Sequence, residues 1–201
     1  RRLNMTAGRA LPLPGDLADV FAAAWHLLAA SVDDLAAPLR TPVVIGHADA
    51  APDGRVMVLR ACHPVAAQLI FHTDLRSPKA LCLQRDSRVA VVGYDAARSV
   101  QLRLHGQARF ETDGDAVEAA WDATLPTARR NYATTLPPGA RLASAGNGQP
   151  ESVDTAAARA NFARLIVDVA RVDWLDLATN GHRRAVFEAA ADGWTGAWRV
   201  P

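Results

Sequence analysis

Lysine is almost missing from this chain. Among its 22 basic residues, Lys79 is the sole lysine and all the others are arginine. The bias, together with abundant alanine, fits the codon usage of a GC-rich genome, and it makes the one retained lysine conspicuous. Cysteine is also scarce. Cys62 and Cys82 cannot form a disulfide framework in a chain of 201 residues. Neither lies in a cluster with metal-ligand spacing, and the 6 histidines are scattered, so no metal site is expected. There is no apolar run of about 18 residues, hence no membrane span. No small-residue cleavage pattern follows the basic start, so a secretory signal is not expected and a reducing, cytoplasmic setting is. Charge of one sign is missing too. The basic residues and 21 acidic ones leave a net charge of +1, which excludes a strongly basic nucleic-acid coat or an acidic tail.

What remains is ordinary globular material. Half the residues are hydrophobic and 21% are charged, enough for one domain with a core across residues 1–201. Residues 1–14, rich in Pro, Gly and Arg, read as an extended segment. Asp16 is an N-cap for a helix over residues 17–30, with Phe21, Trp25 and Leu28 on one stripe. Short β-like segments follow at 43–46, 56–59, 68–73 and 88–94, with a turn at 49–54. Ser77-Pro78 opens a short helix, Ser as cap and Pro at the first helical position. The clearest strand is 99–110. Val100, Leu102, Leu104, Ala108 and Phe110 occupy one face, polar residues the other, and Gly106 marks a bulge. Residues 113–130 read as helix broken near Pro126. Residues 136–152 form a long Pro/Gly/Ser loop. A helical turn at 156–162 precedes closing strands at 165–172, 174–177, 184–188 and 194–200. The expected class is mainly β with peripheral helices, a barrel or α+β domain and not a doubly wound sheet.

Four constellations carry chemistry. Arg55-Val56-Met57-Val58-Leu59-Arg60 sets two guanidiniums around an apolar strand; on a regular strand they point to opposite faces. Phe71-His72-Thr73-Asp74-Leu75-Arg76-Ser77-Pro78-Lys79 brings two hydroxyls and two cations to a helix start, whose free N–H groups suit an anion such as phosphate. Gln101-x-Arg103-x-His105 lines a polar strand face; Gln101 can bracket the N–C=O edge of a heteroaromatic ring. His182-Arg183-Arg184 follows the Asn180-Gly181 turn. Cys62-His63 is not read as a nucleophile–base pair, because neighbours on a strand point apart.

In that order, the four constellations resemble the pyridoxamine 5′-phosphate oxidase family of FMN-binding split β-barrels. The resemblance is good over about residues 40–111 and looser over 162–201. Ala128-Arg129-Arg130-Asn131-Tyr132 followed by Pro137-Pro138-Gly139 looks closer to uncharacterised bacterial members than to the vitamin B6 enzyme.

The resemblance implies roles. Arg55 and Lys79 hold the FMN phosphate, with Thr73 or Ser77 adding hydrogen bonds. His72 and Arg76 belong to the same turn, Arg76 supplying a guanidinium. Val56, Met57, Val58, Leu59 and Arg60 lie along the flavin, Gln101 contacts its ring from the partner subunit, and Arg184 reaches it near the interface. Arg60 and His182 face a small-molecule substrate. A homodimer with FMN at the subunit interface is implied, with no nucleic-acid or membrane partner. Three departures stand out: Pro78-Lys79 where the family has Arg-Lys, Leu175 beside Trp174 at a flavin-contacting Trp, and Asn180 at a substrate-gripping Arg. The implied function is an FMN-dependent oxidoreductase acting on an unidentified small molecule. The alternative is a flavin-binding module without turnover, for storage, sensing or scaffolding.

Overall fold

The computed structural model describes residues 15–48, 51–146, 148–149, 155–179 and 181–201. The extended segment expected at 1–14, residues 49–50 of the expected turn, Asn180, and residues 147 and 150–152 of the long loop lie outside that set.

Among the described residues nine strands build one antiparallel sheet: β1 (Val43–Ala48), β2 (Ala51–Val56), β3 (Leu59–His63), β4 (Gln68–Asp74), β5 (Arg88–Asp95), β6 (Val100–Glu111), β7 (Phe162–Asp176), β8 (Arg183–Ala190) and β9 (Gly193–Arg199). The order is β2-β1-β5-β6-β7-β4-β3, with β8 and β9 branching from β7. The expected class, mainly β with peripheral helices, is what the chain adopts. The two ends of that order, β2 and β3, are consecutive in sequence and joined only by Met57 and Val58. The three steps from Val56 to Leu59 reach about 11 Å at most, so the sheet must curl until its ends meet. It is a barrel tied by the chain and not closed by hydrogen bonds.

The second half of the split comes from β7. One edge of β7 pairs with β6 along its length. Its other edge is shared: Phe162–Asp168 pairs with β4 and Arg171–Asp176 with β8. The register slips between His105 and Gly106, which face Arg171 and Val169 and leave the exposed Ala170 over as a bulge. Gly106 sits against this bulge as the sequence suggested. A Cβ there would lie 2.1 Å from the Asp168 carbonyl oxygen.

Two layers of core flank the sheet. On the inner face α1 (Leu17–Ala30) buries Val20, Ala24, Trp25 and Leu28 against Leu59, Leu102, Leu104, Trp174 and Phe187. Asp16 caps it, accepting from the Asp19 N–H at 2.8 Å. A smaller cluster of Val117, Trp121, Ala158 and Phe162 joins α3 (Asp115–Asp122) and α5 (Thr155–Asn161) to the start of β7. The break near Pro126 is real, and the short α4 (Pro126–Arg129) follows it. Among the described residues no helix is long and apolar enough to cross a membrane.

Three sequence expectations change. Residues 51–54 are strand, not turn: β2 is an edge strand, where Pro52 loses no ladder bond. Residues 56–59 are not one strand, because the chain crosses there from one end of the sheet to the other. Arg55 and Arg60 therefore sit on different strands, and the odd-spacing argument about their faces does not apply. Segments 165–172 and 174–177 are one strand, since the bulge at Ala170 lets β7 bend without ending.

Gly106→Ala is expected to cost about 3 kcal/mol, because backbone and not a flexible side chain blocks the new methyl. Urea unfolding of the variant measures it.

Candidate functional site

The β4–α2 turn forms as its residues require. Ser77 caps α2 (Pro78–Arg85) with extended backbone, and Pro78 occupies the first turn without needing a donor partner. The Ser77 hydroxyl donates to the Asp74 carbonyl at 2.7 Å and accepts from the Ala80 N–H at 3.4 Å. Lys79 Nζ donates to the same Ser77 Oγ at 3.2 Å.

The small hollow beside this turn is lined by Val44, Gly46, Asp53, Arg55, Met57, Lys79 and Cys82, among others. Arg55 reaches it from β2 and is ion-paired with Asp53. Lys79, half-buried, has no ion pair among the described residues. Burial first, and the nearby Arg55 charge second, lower the Lys79 pKa. Arg55 is lowered chiefly by burial. Two cations and one carboxylate thus converge at a helix N-terminus, an arrangement that an anion completes. A phosphate group fits this donor set: Arg55, Lys79 and the first-turn N–H groups of α2, with the buried Ser77 and Thr73 behind them.

Arg76 sits at the same turn but is engaged elsewhere. Its Nε and Nη2 grip Asp74 at 3.1 and 2.7 Å, and Nη1 donates to the Thr134 carbonyl at 2.8 Å. It also reaches the Thr134 hydroxyl and the Tyr132 carbonyl. Arg76 clasps the 132–134 segment to the turn. His72 meets Phe162 edge-to-face, with ring centroids 4.8 Å apart. Burial, then Arg60 and Arg164, push its pKa down to about 4. Arg60 is exposed and falls at the register shift of β3. Met57 and Leu59 bury their side chains in the core, whereas Val56 is exposed and Val58 half-buried. Burial pushes the Cys62 thiol up to about 12.

The remaining residues lie on the other face. Cross-strand register aligns Tyr94, Gln101, Leu175, Arg184 and Arg199 in one row across β5, β6, β7, β8 and β9. Because Val43 and not Val44 is in phase with this row, it lies on the face opposite Arg55, which pairs with Val44. His182 is exposed just before β8. His72 pairs with Arg164 near the start of β7, whereas Arg183 pairs with Asp176 at its end, a separation of roughly 40 Å along extended strand. One chain therefore gathers Arg55, Thr73, Ser77 and Lys79 in one place and Gln101, Arg184 and His182 in another.

Sequence reasoning missed Asp173. It lies 2% exposed on the sheet face that carries Gln101. Its Oδ1 accepts from Arg184 Nε at 3.0 Å and its Oδ2 from Arg184 Nη2 at 2.7 Å and Arg103 Nη2 at 2.5 Å. Its pKa is lowered, the two arginines outweighing burial, which alone is the largest influence and acts upward. No local signal singled it out, because β7 also carries Arg164, Asp168, Arg171 and Asp176. Among the described residues no group of three or more His, Cys, Asp or Glu side chains could hold a metal.

The model of the pyridoxamine 5′-phosphate oxidase family matches residues 45–172, and the chain belongs to that family. Among curated proteins none matches the sequence. The structure is similar to a pyridoxamine 5′-phosphate oxidase-related, FMN binding protein from Nostoc punctiforme, with a TM-score of 0.73 and 22% identity over 95% of this chain and 100% of that one. It is also similar to PhzG from Burkholderia lata 383, solved with tetrahydrophenazine-1-carboxylic acid, at a TM-score of 0.62 and 15% identity over 81% and 82% of the two chains. A protein related to general stress protein 26 from Clostridium acetobutylicum aligns at 0.55 and 11% identity, covering 85% and 94%. These likenesses establish the shared fold.

The depressed His72 pKa fixes a pH dependence. The folded chain keeps His72 neutral down to about 4, while the unfolded chain protonates near 6.5. Stability is thus lost as pH falls from 6.5 toward 4, by an amount on the order of 2 kcal/mol. His72→Phe is expected to flatten that part of a stability-versus-pH curve measured by urea unfolding.

Proposed function

We propose that this protein binds FMN and is an FMN-dependent oxidoreductase acting on a small molecule. The observation that carries the reading is the convergence of Arg55 and Lys79 on the capped start of α2. Family membership and the similarity to an FMN binding protein support the same cofactor. Arg55, Lys79 and the α2 N-terminus hold the phosphate, with Ser77 orienting the Lys79 amine. Bound FMN supplies the ring that accepts a hydride from substrate and passes electrons on.

The two-face distribution of site residues supports a homodimer with shared sites. Arg55 and Lys79 of one subunit hold the phosphate, and Gln101 and Arg184 of the other meet the ring. Tyr94, Val43 and Val56, exposed on the face that carries Gln101, supply apolar surface for that contact. Arg60 faces outward beside neutral His72 and the half-buried Arg164 and draws an anionic group of the substrate. His182 comes to the same substrate from the partner.

Lys79→Ala is expected to weaken FMN binding at least about tenfold while leaving the melting temperature of the free protein unchanged. Flavin fluorescence quenching reads the affinity. Unchanged affinity refutes the phosphate role, and a native protein that neither carries nor takes up FMN refutes the whole reading. Hydride transfer is tested by anaerobic bleaching of the flavin band with candidate substrates.

Sharing of the site makes a separate prediction. Co-expressed Lys79→Ala and Gln101→Ala subunits, isolated as a mixed dimer, are expected to regain one native-affinity FMN site per dimer. If each site is built within one subunit, both sites stay weak.

A further inference from the structure

A buried carboxylate with two guanidiniums on it lies under the face assigned to the flavin ring. Asp173 occupies both Nε and Nη2 of Arg184, at 3.0 and 2.7 Å, in a side-by-side geometry. This leaves the Nη1 edge of Arg184 as the side that faces away from its anchor. The second anchor is Arg103, from the facing position on β6, at 2.5 Å. Two cations share one anion, so the cluster keeps a net positive charge. Asp173 itself is 2% exposed and cannot meet a ligand. A carboxylate is costly in that position unless it is paired, and nothing in the strand's apolar packing requires it. Along its row Asp173 stands between Arg103 on β6 and the buried Val186 on β8, so its one charged neighbour in the sheet is one of the two arginines it binds.

We infer that Asp173 is a positioning residue: it holds the Arg184 guanidinium edge-on so that its free Nη1 side meets the electron-rich carbonyl edge of the flavin ring. The inference rests on the FMN reading above and on Arg184 reaching the ring. A fork held by two bonds loses little freedom on meeting its ligand, so the anchor contributes to affinity without touching FMN. It also fixes a positive charge near the ring. Reduction adds electron density to that ring, so a fixed cation beside it favours the reduced form. Asp173 sets that distance.

The test uses the full chain and two substitutions at the position. Asp173→Asn removes the charge but keeps one acceptor. It is expected to weaken FMN binding about tenfold in the native background and less than about twofold when Arg184 is already alanine. Equal losses in the two backgrounds mean a general structural role and overturn the inference, as does no loss in either. Asp173→Glu keeps the charge and moves the anchor by one methylene. With net charge unchanged, its flavin midpoint potential is expected to shift as the guanidinium is displaced; an unshifted potential overturns the electrostatic part. Melting temperatures of the apo variants guard against misfolding, and if Asp173→Asn does not fold, the Asp173→Glu affinity and potential decide alone. Failure of the native chain to bind FMN removes the FMN reading and this inference together, whereas native binding with unaffected variants removes this inference only.

Discussion

Everything in this structure depends on the two residues between β2 and β3. The strands they join are the outermost in the sheet order, yet Met57 and Val58 leave only about 11 Å to connect them. A flat sheet of this width cannot satisfy that tether. Curling gives the sheet a concave side that Trp25, Leu102 and Trp174 fill and a convex side of mixed character. It also brings Arg55, at the end of β2, within reach of the β4–α2 turn, which belongs to the far half of the order. The phosphate-type hollow is a by-product of barrel closure by covalent connection.

The same curvature explains why one chain holds Arg55 and Lys79 apart from Gln101 and Arg184. Residues that alternate along a strand point to opposite faces, and the curl turns those faces into inside and outside. Arg55 and Lys79 work at the rim of the concave side, Gln101 and Arg184 on the convex side. No rotamer change moves a side chain through a hydrogen-bonded sheet. In the proposed homodimer a second copy unites them, and the convex face offers the exposed Tyr94, Val43 and Val56 for that contact.

Much of this was legible in the sequence, for identifiable reasons. The Ser77-Pro78 cap and the β6 alternation are local signals, and local chemistry decided them. Gly106 could be read as a bulge because only a residue without Cβ tolerates the approach of the Asp168 carbonyl. What could not be read was non-local. Pro52-Asp53-Gly54 carries turn residues, but edge position made it strand. Arg76 has the charge for a phosphate, but Asp74 and Thr134 claim its donors. Asp173 is invisible to period counting, because its reason for being buried lies on β6 and β8.

Lys79 has a consequence beyond its electrostatics. It carries the only side-chain amine in the chain, and that amine lies half-covered at the head of α2, hydrogen-bonded to the cap. Amine-directed chemistry on side chains therefore has a single address. Among side chains a reagent that acylates amines reports on this one hollow, and any occupant lying over the Lys79 amine silences that signal. The arginine-rich composition turns an ordinary labelling reaction into a site-specific probe of whether the hollow is filled.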